Sequence, residues 1–238
     1  MPKTITGSLS LSIIFILLVG AGVATAQEIT VQQVGSNYWI ASTARRGMFV
    51  TGQNADIMLS GVDFNNAGGP LLFNHQGNIA SDGTRLILAD RNNNRLLIWS
   101  RLPTGNTAPD LVLGQKDFIT NNPGTGLDQL NWPVGVATGG GRLVVADTYN
   151  DRVLIWNSFP TRNGQPADFE LTEDIVWPWA VWTDGVKLVV TSTRGSKVLI
   201  WNSFPTSNGK ADISIYLPGE FGTPRSVGSD GKRLVVGD

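Results

Sequence analysis

The apolar residues of this chain fall in short unbroken runs, with neither strict alternation nor helical spacing. Leu86 to Ala89, Leu96 to Trp99, Leu143 to Ala146, Val153 to Trp156, Leu188 to Val190 and Val198 to Trp201 are apolar at every position. A short continuous run bounded by turn residues reads as a strand covered on both faces. The pairs Asp82-Gly83, Gly139-Gly140, Asp184-Gly185 and Asp230-Gly231 stand ahead of the second run of each unit and predict two-residue hairpin turns. A further stretch such as Asp168 to Leu171 supplies an outer strand, and no helix is expected after the N-terminal segment.

The runs recur as a unit. Leu86-Ile-Leu-Ala-Asp-Arg-Asn-Asn-Asn-Arg-Leu-Leu-Ile-Trp99 aligns with Leu143-Val-Val-Ala-Asp-Thr-Tyr-Asn-Asp-Arg-Val-Leu-Ile-Trp156 and with Leu188-Val-Val-Thr-Ser-Thr-Arg-Gly-Ser-Lys-Val-Leu-Ile-Trp201, and a fourth copy begins at Leu234-Val-Val-Gly-Asp238. The interval is 57 residues from Trp99 to Trp156 and 45 from Trp156 to Trp201, the longer one carrying an insertion around Gln115 to Gln129. That period suits one four-stranded blade of a β-propeller, in which neighbouring blades cover both faces of each sheet. The fold class expected is all-β, a propeller of four-stranded blades, with the ring incomplete at the C-terminus where the sequence stops inside a repeat.

Residues 145 to 156, Val-Ala-Asp-Thr-Tyr-Asn-Asp-Arg-Val-Leu-Ile-Trp, preceded by Trp132-Pro133-Val134-Gly135-Val136-Ala137, resemble the NHL-repeat β-propeller family. The resemblance covers residues 74 to 238 and extends more faintly to 38–59, where Met48 to Leu59 echoes Ser203 to Ile213. It implies a propeller fold and leaves the function open, because such propellers serve as binding modules, scaffolds and a few enzymes. Lyases and lactonases of similar fold place metal ligands around the central channel.

Composition narrows the chemistry. Eighteen Lys and Arg against nineteen Asp and Glu leave a formal charge of -1, which argues against a nucleic-acid footprint. The absence of Cys removes disulfide frameworks, thiol catalysis and cysteine metal sites, and the single histidine, His75, cannot build a His-rich metal centre. Lys3, an apolar stretch from Leu9 to Val19 and the small residues Ala24-Thr25-Ala26 fit a secretory signal peptide over residues 1–26, with an uncleaved anchor as the alternative. The propeller then occupies 27–238, outside the cytoplasm: extracellular or periplasmic, without stable membrane insertion after cleavage.

Two sets of marked residues have different meanings. Asp90, Asn93 and Arg95 recur as Asp147, Asn150 and Arg152 but become Ser192, Gly195 and Lys197 in the third copy, so the loop reads as a turn with a left-handed residue at the Asn/Gly position. Trp99, Trp156 and Trp201 close equivalent strands and read as packing between blades. The segments leading into the first strand of each unit instead vary: His75-Gln76-Gly77, Trp132-Pro133-Val134, Trp177-Pro178-Trp179 and Thr223-Pro224-Arg225. Those positions lie beside the central channel in a propeller, so Trp132, Trp177, Trp179, His75 and Arg225 are the candidate ligand-binding residues. Packing of Trp132 and Trp177 beneath the connecting loops is the plainer alternative, and His75 has no repeated acid or nucleophile to make it a catalytic base.

The function expected is a secreted binding or scaffold module for a protein, peptide or carbohydrate, with no catalytic residue and no required cofactor. The alternative is a calcium-dependent propeller enzyme of lyase or lactonase type, for which Asp128, Glu173, Asp174 and Glu220 are the candidate oxygen donors.

Overall fold

The structure, a computed structural model, describes residues 70–216 and 222–238 together with the backbone of two N-terminal strands. In chain order the strands are β1 (Ile13–Leu17), β2 (Val31–Val34), β3 (Ile79–Ser81), β4 (Leu86–Asp90), β5 (Arg95–Trp99), β6 (Leu111–Leu113), β7 (Pro133–Gly139), β8 (Arg142–Asp147), β9 (Arg152–Trp156), β10 (Phe169–Leu171), β11 (Pro178–Thr183), β12 (Leu188–Ser192), β13 (Lys197–Trp201), β14 (Ile213–Tyr216), β15 (Ser226–Ser229) and β16 (Arg233–Gly237). They form four antiparallel sheets of four strands: β3-β4-β5-β6, β7-β8-β9-β10, β11-β12-β13-β14 and β15-β16-β1-β2. These are four blades, and the only helical pieces among the described residues are short 3₁₀ turns at Arg91–Asn93 and Thr148–Asn150. The fourth sheet joins the C-terminal strands to β1, which pairs with β16 from Ile13 opposite Gly237 to Leu17 opposite Arg233. Apart from the backbone of Ile13–Leu17, the segment read as a signal peptide lies outside the described residues, as does the echo at 38–59.

The continuous apolar runs are explained by where their side chains go. Leu143 and Val145 of β8 enter a cluster shared with Ile87, Ala89 and Leu96 of the first blade, while the alternate residues Val144 and Ala146 enter another shared with Leu188, Val190 and Leu199 of the third. The second blade is thus an apolar layer between the first and third, and the third lies between the second and fourth, so no face of their middle strands is left for polar residues. Full burial of each Leu, Ile or Val contributes roughly 1.5–3 kcal/mol, so the seams between blades carry most of the stability. Trp156 and Trp201, 2% and 4% exposed, pack into the seam toward the preceding blade, and Trp99 packs against Phe73 of the segment leading into its own blade. Two of these indoles also find a partner at the rim: the N–H of Trp99 donates to the Thr107 carbonyl at 2.7 Å and that of Trp156 to the Gln165 carbonyl at 3.1 Å.

The hairpin turns depart from expectation in three of four blades. Ser81 pairs with Leu86, Thr183 with Leu188 and Ser229 with Leu234, so the Asp-Gly pairs open four-residue loops. The reason is the Asp side chain: Asp82 Oδ1 accepts the N–H groups of Thr84 and Arg85 at 2.9 and 2.7 Å, and Asp184 and Asp230 hold their loops in the same way. Only in the second blade, where Gly139 pairs with Arg142, does a two-residue turn form, with Gly140 and Gly141 both at positive φ.

The innermost strands β3, β7, β11 and β15 follow one another around the centre. Their backbones nearly touch: a Cβ built on Gly135 would stand 2.5 Å from the Trp179 carbonyl oxygen. Any side chain there would push the second and third blades apart.

Candidate functional site

The lead-in segments and the loops between second and third strands lie at the same end of the blades, because Pro133 pairs with Asp147 and Pro178 with Ser192. One hydrogen bond of repeated design ties them. Asp90 Oδ1 accepts the Asn74 N–H and Asp147 Oδ1 accepts the Asn131 N–H, both at 2.7 Å, while Ser192 Oγ accepts the Val176 N–H at 2.8 Å. In the fourth blade Asp238 accepts the N–H groups of Gly222 and Thr223. The residue after each of the first three anchors is His75, Trp132 or Trp177, and all three are held at positive φ, 54°, 57° and 53°. A bulky residue in that conformation is uncommon, so the anchor aims these side chains onto the face.

The anchor is itself braced. Arg152 is 4% exposed and Asp147 fully buried; Arg152 Nε donates to Asp147 Oδ2 at 2.8 Å, and Asn150 Nδ2 donates to the same oxygen at 2.7 Å. Burial pushes the Asp147 carboxyl up, while the Asn131 N–H and the side chains of Asn150 and Arg152 draw it back down. The guanidinium also donates to Glu170 and to the carbonyls of Thr125, Gly126 and Gln129. Asp90, Asn93 and Arg95 repeat the core of this arrangement. The Asn therefore serves as a side-chain donor, which corrects the expectation of a left-handed residue there. The left-handed residues are one position later, Asn94, Asp151 and Ser196. They face the next blade: Asn94 Oδ1 accepts the Trp132 N–H at 2.8 Å and Asp151 Oδ1 the Trp177 N–H at 2.6 Å.

Trp132 and Trp177 consequently stand between the loop of their own blade and that of the preceding one. Trp132 stacks on Tyr149 with centroids 4.6 Å apart, and Tyr149 lies 4.6 Å from Trp177. Trp132 and Trp177 are 5.9 Å apart, and Trp179 meets Trp132 edge-on at 5.7 Å. Three guanidinium groups cover this cluster, Arg91 over Trp132 at 4.4 Å, Arg194 over Trp177 at 3.5 Å and Arg225 over Trp179 at 4.9 Å. Trp132 Nε1 also donates to Asn92 Oδ1 at 2.9 Å. The three tryptophans are half-buried and Tyr149 is 48% exposed, so the cluster is a surface feature.

Four of the five candidates from sequence, Trp132, Trp177, Trp179 and Arg225, meet in this cluster. His75 takes the equivalent place in the first blade, exposed, beside the lining residues Gln76 and Gly77 of the channel pocket. Sequence reasoning missed Tyr149, Arg91 and Arg194, which sit in the loop read as a mere turn. The signal was there: at one offset past the anchor the copies read Asn92, Tyr149 and Arg194, as variable as the lead-in positions. Of the acids expected as calcium donors, Asp174 pairs with Lys197 at 3.1 Å and Glu220 lies outside the described residues; among the described residues no group of three His, Asp or Glu side chains could hold a metal.

Residues 130–156, which carry the Asn131 anchor, Trp132, Tyr149 and the Asp147–Arg152 brace, match the family model of the NHL repeat. The fold is an array of four-stranded propeller-like blades that carries an NHL repeat at this place. No curated protein matches the chain. Among solved structures it is similar to the PQQ-bound form of an aldose sugar dehydrogenase from Streptomyces coelicolor, at 14% identity and a TM-score of 0.33, over 69% of this chain. The matched part spans 43% of that enzyme.

Proposed function

We propose that this NHL propeller is a secreted binding module that recognises a carbohydrate, peptide or protein partner through the face bearing Trp132, Trp177, Trp179, His75 and Arg225. The observation that carries the reading is the contrast between its two sets of tryptophans. Trp99, Trp156 and Trp201 recur in register and are 2–4% exposed, as packing residues should be. Trp132, Trp177 and Trp179 vary between copies, remain half-exposed and collect with Tyr149 and three arginines drawn from all four blades. Aromatic and Arg side chains gathered in one patch are the residue types that dominate recognition energetics. Export is supported by Lys3, the apolar stretch from Leu9 to Val19 and Ala24-Thr25-Ala26; Ile13–Leu17 of that stretch is also the strand paired with β16, so cleavage would leave that edge of the fourth sheet open.

The test is the double variant Trp132→Ala/Trp177→Ala of the full chain, screened with wild type against peptide and glycan arrays. The variant is expected to unfold cooperatively and to lose array binding. Loss of folding, or binding that survives the double substitution, would assign the two rings to packing instead.

A further inference from the structure

At the centre of the same face a pocket of about 350 Å³ is lined by Gln76, Asn78, Arg91, Trp179, Arg225 and Ser226, among others, and by no carboxylate among the described residues. Both arginines are departures from the repeat. Arg91 stands where the other blades have Thr148 and Thr193, whose hydroxyls donate to the Pro178 and Pro224 carbonyls of the next blade at 2.7 and 2.6 Å. At the seam between the first and second blades that bond is replaced by a cation. Arg225 stands where the others have Gly77, Val134 and Trp179. The chain therefore places two positive charges at the channel mouth in positions the fold does not require to be charged.

Arg91 also differs from the buried arginines that serve the fold. Arg95 and Arg152 each bond an Asp at 2.8 Å. The Nε of Arg91 is buried without a hydrogen-bond partner, while its guanidinium lies over Trp132. Arg91 lines the pocket, so its terminal N–H groups are the ones an arriving anion can meet, and no carboxylate among the described lining residues competes for them. Carboxylates suit the need, because guanidinium groups bind them through paired, charge-assisted hydrogen bonds.

We infer that this pocket binds a uronic-acid unit of an acidic saccharide, Arg91 and Arg225 holding its carboxylate. This rests on the binding-face reading and names its ligand class. The rest of the lining favours a sugar over an acidic peptide. Trp179, with the Arg225 guanidinium over its ring, adds an aromatic side chain to the lining, and Gln76, Asn78 and Ser226 carry groups that both donate and accept, as sugar hydroxyls do. The volume is at the small end of ligand pockets and suits one or two rings.

The experiment is calorimetric titration of the full chain with trigalacturonate, with maltotriose as the neutral probe and a Glu-rich hexapeptide as the acidic peptide probe. Trigalacturonate is expected to bind at least about tenfold more tightly than maltotriose, and Arg225→Ala, at an exposed position, to weaken it by about tenfold or more while keeping the wild-type unfolding midpoint. Arg91→Lys keeps the charge but not the paired geometry and is expected to fall between. Equal binding of maltotriose, or an unchanged affinity in Arg225→Ala, overturns the inference. Binding of the peptide without trigalacturonate overturns the saccharide assignment and leaves the binding face standing. If trigalacturonate does not bind but array binding is lost in Trp132→Ala/Trp177→Ala, only the uronate inference fails; if array binding survives there, the face reading fails with it.

Discussion

Replacing Asp147 by Ala removes the acceptor that anchors the Trp132 lead-in segment and the buried partner of Arg152. Breaking a buried ion pair from one side costs about 3–5 kcal/mol, because the remaining charge stays in the interior. Here Arg152 keeps Glu170, 39% exposed, and three backbone carbonyls, so the lower bound applies, about 3 kcal/mol. For a domain of this size that lowers the midpoint of thermal unfolding by roughly 6–12 °C. Ser192 is the internal control. It fills the same anchor in the third blade with a neutral hydroxyl, and the Val176 it holds is exposed, so water can replace it. Ser192→Ala is expected to cost about 1 kcal/mol, or roughly 2–4 °C. Calorimetry gives both midpoints, and hydrogen exchange should show the Asn131 and Trp132 amides exposed in Asp147→Ala before the strands of β8 and β9 open. Equal losses in the two variants would refute the reasoning, since they would mean that the buried charge pair does no more than a single hydroxyl.

Tyr149→Ala removes the ring between Trp132 and Trp177, and two aromatic contacts at about 0.5–1.5 kcal/mol each predict a loss of roughly 1–3 kcal/mol in urea unfolding with reduced near-ultraviolet dichroism. Gly185→Ala and Gly83→Ala share a positive φ, 88° and 86°, but only at Gly185 would the new Cβ meet backbone, 2.6 Å from the Gly140 nitrogen. Gly83→Ala is expected to cost about 1–2 kcal/mol and Gly185→Ala distinctly more, read from the same denaturation curves. The Arg233 and Lys232 N–H groups hold the Asp230 carboxyl below its ordinary value of 3.8. Such an acid contributes stability above its unfolded value that is lost as pH falls through the lower folded value, so Asp230→Asn should flatten the decline in urea midpoint below about pH 4; an unchanged acid limb would contradict the turn geometry.

Much of the fold was legible because each blade has to bury both faces. That requirement writes itself as unbroken apolar runs such as Leu143 to Ala146, and the seam between neighbours repeats it in register. Turn length was less legible, since Asp-Gly marks a turn without saying whether the Asp side chain will hold two more residues, as Asp82 does. The lead-in residues were found because their positions vary between copies, with His75, Trp132, Trp177 and Thr223 at one place and Gly77, Val134, Trp179 and Arg225 at another. Tyr149, Arg91 and Arg194 were hidden because they occupy a loop whose anchors, Asp147 and Arg152, have a structural role strong enough to explain the motif alone. Which loops touch depends on the blade-to-blade approach set by Gly135 and its neighbours, and that distance is not written in any single repeat.

The central claim is that the half-buried tryptophans present a usable surface while the recurring ones do not. Hydroxyl-radical footprinting of the full chain, free and with trigalacturonate, reads each ring separately. The account predicts labelling of Trp132, Trp177 and Trp179 but not of Trp99, Trp156 and Trp201 in the free chain, and protection of Trp179 when the saccharide is added. Unlabelled face tryptophans, or protection confined to the Asp-Gly turns at the opposite end, would contradict it.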